Sequence, residues 1–98
     1  MDSSYTELAL TGIKHTIANS DEVVRIFMGR GGPATYMVDA ARIAEPFMLG
    51  MICADLTRHG AMAFAEARGM DAQVALEAIV AGFAAELENP TDGMGEAN

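Results

Sequence analysis

Asp55, Arg58 and His59 are the residues best spaced to do chemistry in this chain. On a helix, side chains three and four positions apart are neighbours, so the Asp55 carboxylate reaches either Arg58 or His59. A carboxylate beside an imidazole raises its basicity and fixes its tautomer, as a general acid or base requires. The competing reading is a solvated salt-bridge face, worth only about 0.3–0.5 kcal/mol. Glu86 is the odd acid of a later apolar segment, on the edge between its bulky and small stripes. If partly buried there it needs a cation or a donor, and Arg58 or Arg25 could supply it, within the chain or across a dimer. If it reaches over the helix rim it needs neither. The candidates are therefore Asp55 and His59 for catalysis, and Arg25, Arg58 and Glu86 for ligand binding.

Other chemistries have thinner support. Cys53 lies about 120° around the helix from His59, which rules out a thiol–imidazole pair on one helix. A buried, inert thiol is the ordinary reading. His15 and His59 are the only histidines, with no cysteine pair, no H-E-x-x-H and no calcium loop, so no metal or cofactor is expected. Gly29-Arg30-Gly31-Gly32-Pro33 invites a phosphate-cradle reading, but it fits no phosphate fingerprint and opens no helix, so it reads as a turn.

The elements that must position these residues are legible. Val23 to Met28 is rich in β-branched and aromatic residues and reads as a strand. The glycine run then turns the chain, and Ala34 to Val38 returns as a second strand. Glu7 to Ile13 is a candidate third strand, weakened by Gly12 and the polar run after it. Asp39 ends the hairpin. Pro46 starts a long helix, 46–68, in the first turn where its missing N–H costs nothing, and Gly69 stops it. Asp71 caps a second helix from Ala72 to about Glu88, stopped by Asn89-Pro90.

Both helices have two apolar faces. In the first, Leu49, Ile52, Cys53, Leu56, Ala63, Phe64 and Ala67 form a bulky side, and Gly50, Ala54, Thr57, Ala61 and Ala65 a small one. In the second, Leu76, Ile79, Val80, Phe83 and Leu87 are bulky, and Ala75, Ala78, Gly82 and Ala85 small. The small stripes suit helices that cross closely. Gly60 and Gly82 each cost about 1 kcal/mol against alanine inside a helix, and close backbone approach is the usual compensation.

Composition bounds the rest. Ninety-eight residues, 51% of them hydrophobic, make one folded domain, 1–98, with 1–6 and 91–98 expected to be flexible. Four Phe, two Tyr and no Trp leave much of the packing to alanine and to eight Met, which specify a core weakly. A two-stranded hairpin is marginal alone and needs a third strand, helix cover or a second copy of the chain. The expected fold is α+β, in ββαα order: a hairpin covered by two antiparallel helices, paired as a homodimer.

Residues 44–98 carry nine acids against Arg58 and Arg68. Such a surface repels phosphate backbones and anionic membranes, and leaves a basic protein as a conceivable partner. A lone cysteine, no basic leader before a hydrophobic run and no apolar stretch of membrane-spanning length point to a cytoplasmic protein in a reducing compartment.

The run A-D-L-T-R-H (54–59), followed by A-I-V-A-G-F-A-A-E (78–86) and N-P-T-D (89–92), resembles a bacterial family of roughly hundred-residue proteins, domain of unknown function family 5076. The resemblance covers about residues 22–93 and takes in V-V-R-I-F and the proline-started helix. It implies a small α/β domain and no assigned activity. It also implies a polar cluster drawn from Arg25, Asp55, Arg58, His59, Glu86 and Asp92. The leading expectation is a homodimeric structural or interaction domain. The alternative is a small-molecule-binding protein or hydrolytic enzyme centred on Asp55, His59 and Glu86.

Overall fold

A computed structural model describes residues 5–91. The hairpin forms as the sequence dictates. Strand β1 (Val24–Met28) pairs antiparallel with β2 (Ala34–Val38), with Ile26 opposite Tyr36 at its centre. The connecting loop needs glycine twice. Gly31 has φ +76°, and a Cβ at Gly29 would stand 2.5 Å from the Pro33 carbonyl oxygen. No strand forms over residues 7–13. Thr11–Ile13 is a 3-10 turn running into one α-helical turn, α1 (Lys14–Ile17). The Leu8/Leu10 alternation is too short to hold a strand next to Gly12 and the polar residues that follow. Instead the preceding segment rests on the hairpin: the Tyr5 ring meets Phe27 edge-on at 5.2 Å, and Arg30 donates to the Thr6 hydroxyl at 3.3 Å. Ser20 caps no helix; its hydroxyl donates back to the Thr16 carbonyl at 2.8 Å.

Helix α2 runs from Pro46 to Arg68, and Gly69 closes it in the left-handed conformation at φ +66°. Helix α3 runs from Ala72 to Glu88, and the Asp71 carboxylate accepts from the N–H groups of Gln73 and Val74 at 2.8 and 3.1 Å. The two helices form an antiparallel pair. Their crossing is made by small residues: Ala61 is 4% exposed and Ala75 2%. Thr57 and Ala65, on the same stripe of α2, are half-buried beside them. Burial fades away from the turn, and α3 has no buried or half-buried residue beyond Ile79.

The chain is α+β in ββαα order. The helices, however, do not cover the hairpin within one chain. No Cα of either strand comes within 8 Å of a Cα of α2 or α3. Hydrophobic periodicity reports that a face must be covered, and is silent on which surface covers it. Among the described residues the fully buried hydrophobics are Ile43, Ala61 and Ala75.

The helix glycines also differ from expectation. A Cβ at Gly60 would meet the Ile79 Cδ1 at 3.5 Å, an ordinary contact, and one at Gly82 would meet nothing within 4 Å. Close approach within the chain therefore does not require either. Gly60→Ala is expected to raise the urea unfolding free energy by about 1 kcal/mol through helix propensity. A loss of stability would mean that Gly60 faces a closer surface than Ile79.

Candidate functional site

The polar candidates fall in three separate places. On α2 the Arg58 guanidinium is hydrogen-bonded to the Asp55 carboxylate, both side chains more than half exposed. Asp55 thus takes the arginine of its two potential partners. His59 is exposed on the same helix, and no hydrogen bond joins it to Asp55 among the described residues. At the end of α3, Glu86 accepts from the backbone N–H of Thr91 at 2.9 Å and from its hydroxyl at 3.0 Å. Its role there is to hold the chain as it turns past Pro90. Asp92 lies outside the described residues.

Arg25 sits on β1, and its guanidinium is hydrogen-bonded to Glu22 through both Nε and Nη2. That bond holds the Glu22 carboxyl below the usual carboxylate range and raises the Arg25 guanidinium above its own. Both side chains are about half exposed, so the pair orders the approach to β1 more than it stabilises it. Glu22 and Thr91 are the two partners that the residue pattern left unnamed. The only signal for Glu22 is its spacing of three from Arg25. Thr91 gives none, because its contact depends on how the chain reverses after the helix.

Arg25 and Glu22 also line a cleft of about 580 Å³ between β1 and the segment before it. Its other walls include Tyr5, Leu8, Ile17 and Phe27. Cys53 is a half-buried free thiol, and its carbonyl accepts from the Thr57 hydroxyl at 2.9 Å. Among the described residues no three His, Cys, Asp or Glu side chains gather as a metal site would need. No described helix is long and apolar enough to cross a membrane.

A family model, Domain of unknown function (DUF5076), matches residues 14–91. The chain belongs to this family. The matched span holds the hairpin, both long helices and Arg25, Asp55, Arg58, His59 and Glu86. It leaves out residues 5–13, of which Tyr5 to Leu8 and Leu10 line the cleft, so that cleft is only partly built from the DUF5076 segment. A solved structure described as a "putative pyruvate dehydrogenase" from the photosynthetic bacterium Rhodopseudomonas palustrus CGA009 is similar over nearly the whole chain. It is 30% identical, with a TM-score of 0.65, and the match covers 94% of this chain and 93% of that one. No curated protein matches this DUF5076 chain.

Proposed function

We propose that this DUF5076 chain is a homodimeric structural or interaction domain of the cytoplasm, whose fold is completed by a second copy of itself. The supporting observation is the apolar surface that one chain leaves uncovered. A compact monomer of 10.3 kDa exposes about 5,400 Å², whereas this chain exposes 8488 Å². The excess, about 3,000 Å² per chain, is more than the roughly 1,000–2,500 Å² per chain that obligate homodimers commonly bury, so a partner has ample surface to cover. The radius of gyration is 15.6 Å, against about 13 Å for a compact domain of this length.

Energetics argue the same way. Ordering each residue costs roughly 1–2 kcal/mol of backbone entropy. Three fully buried residues and half-buried side chains such as Val24, Phe27, Leu49, Ile52 and Ile79 offset only part of that, while each large side chain moved fully from water to a core returns about 1.5–3 kcal/mol. Such side chains are present in quantity and exposed, among them Ile26, Tyr36, Leu56, Val80, Phe83 and Leu87.

Multi-angle light scattering tests the reading. The expected mass is twice 10.3 kDa, with a melting temperature that rises with protein concentration. A mass of 10.3 kDa at all concentrations, with cooperative unfolding, would refute it.

A second reading, a small-molecule site, draws on the cleft that Arg25 and Glu22 line. Its original centre, Asp55, His59 and Glu86, has no support from side-chain contacts, since Asp55 binds Arg58 and Glu86 binds Thr91. The pyruvate dehydrogenase name of the structural neighbour gains nothing from this scatter of polar residues.

A further inference from the structure

The hairpin has two unlike faces. Side chains alternate across a strand, so Val24, Ile26 and Met28 share one face with their partners Val38, Tyr36 and Ala34. Arg25, Phe27, Thr35 and Met37 share the other, where Tyr5 packs on Phe27. The first face carries no charge, and yet Ile26 is 49% exposed, Tyr36 62% and Met28 82%. On α3, Leu76, Val80, Phe83 and Leu87 recur every three or four residues as a second uncharged stripe. Only Leu76 among them is half-buried; Val80, Phe83 and Leu87 are exposed.

We infer that these two surfaces are halves of one core, joined between chains: the hairpin of one protomer lies on the α2–α3 pair of its partner, and the partner's hairpin lies on the first. This rests on the dimer reading above and says how that dimer is built. Three observations support an exchange. The lengths agree, since four residue steps of strand span about 14 Å and eleven steps of helix about 17 Å. Neither surface has a charge, so their union buries no unpaired ion. The connection between hairpin and helices is also fixed, not slack. The Asp39 N–H donates to the Val23 carbonyl at 2.9 Å, and Arg42 pairs with Asp39 at 3.1 Å and Asp21 at 3.7 Å. Ile43, next in the chain, is buried. That anchored turn holds the hairpin away from its own helices and presents the apolar face outward.

The test uses the unaltered protein. Isotope-labelled and unlabelled chains are unfolded together, refolded, and examined by isotope-filtered NOE spectroscopy. The Tyr36 ring is a convenient probe, because the chain has two tyrosines. The expected result is NOEs between the Tyr36 ring of one protomer and the methyl groups of Leu76, Val80 or Leu87 of the other. Three results would overturn the exchange while leaving the dimer standing: such NOEs only within a protomer, Tyr36 contacts only to the partner's hairpin, or no contact from that ring to any helix methyl. A light-scattering mass of one chain would remove both the exchange and the dimer.

Discussion

In the proposed dimer, Ile26→Asp is expected to break the assembly and unfold the chain with it. Ile26 stands at the centre of the uncharged hairpin face, opposite Tyr36. In a single chain it is half exposed, and an aspartate there would cost little more than β-propensity, about 1 kcal/mol or less. Under a partner's helices the same carboxylate is buried without a cation, at a cost of several kcal/mol. A domain of this size has about 5–15 kcal/mol of stability in total, so the difference is decisive. Light scattering should show the mass falling from twice 10.3 kDa toward one chain, with the urea transition shifted low or lost. Thr35→Asp, on the opposite face of β2, carries the same propensity penalty and should leave the dimer intact. Equal behaviour of the two variants would mean that solvent, not protein, lies against Ile26.

Ala75→Leu is expected to be the most damaging change within the helical pair. Ala75 is 2% exposed and Ala61, on the facing helix, 4%. A leucine adds three carbons where neither backbone can withdraw without unpacking the crossing. Overpacking of this kind costs about 1–3 kcal/mol, and more where the site cannot relax. Ala81→Leu, on the exposed side of the same helix, should change stability by about 0.5 kcal/mol or less. Urea midpoints of the two variants, measured at one protein concentration, separate these cases. A neutral Ala75→Leu would show that the helices are free to move apart, and that the small stripes are alanine-rich composition without a packing role.

The local elements were readable from the residues because their causes are local. Pro46 and Gly69 bound α2, Asp71 caps α3, and the glycines of 29–32 turn the hairpin through steric limits that act over a few residues. The small stripes marked helix faces suited to a close crossing, and left open which surface each one meets. The polar candidates were harder. Spacing placed Asp55 within reach of both Arg58 and His59, and could not choose between them. The long arginine reaches the carboxylate, and the imidazole makes no bond to it. For Glu86 the pattern left a cation, a donor or solvent open, and a threonine five residues on is the donor.

By itself, then, the sequence determined which segments are helix and strand, where each stops, and which of their faces are apolar. Each of these follows from backbone sterics and side-chain periodicity within one segment. The tertiary structure alone decided that the small stripes meet each other, that Tyr5 packs on Phe27 on one face of the hairpin, and that the strands lie apart from the two long helices. The last of these follows the turn at 39–43, where Arg42 pairs with Asp39 and Asp21. Hydrophobic burial has no direction, so an apolar face requires a cover without specifying its source. Only the path of the connection determines whether that cover can come from the same chain.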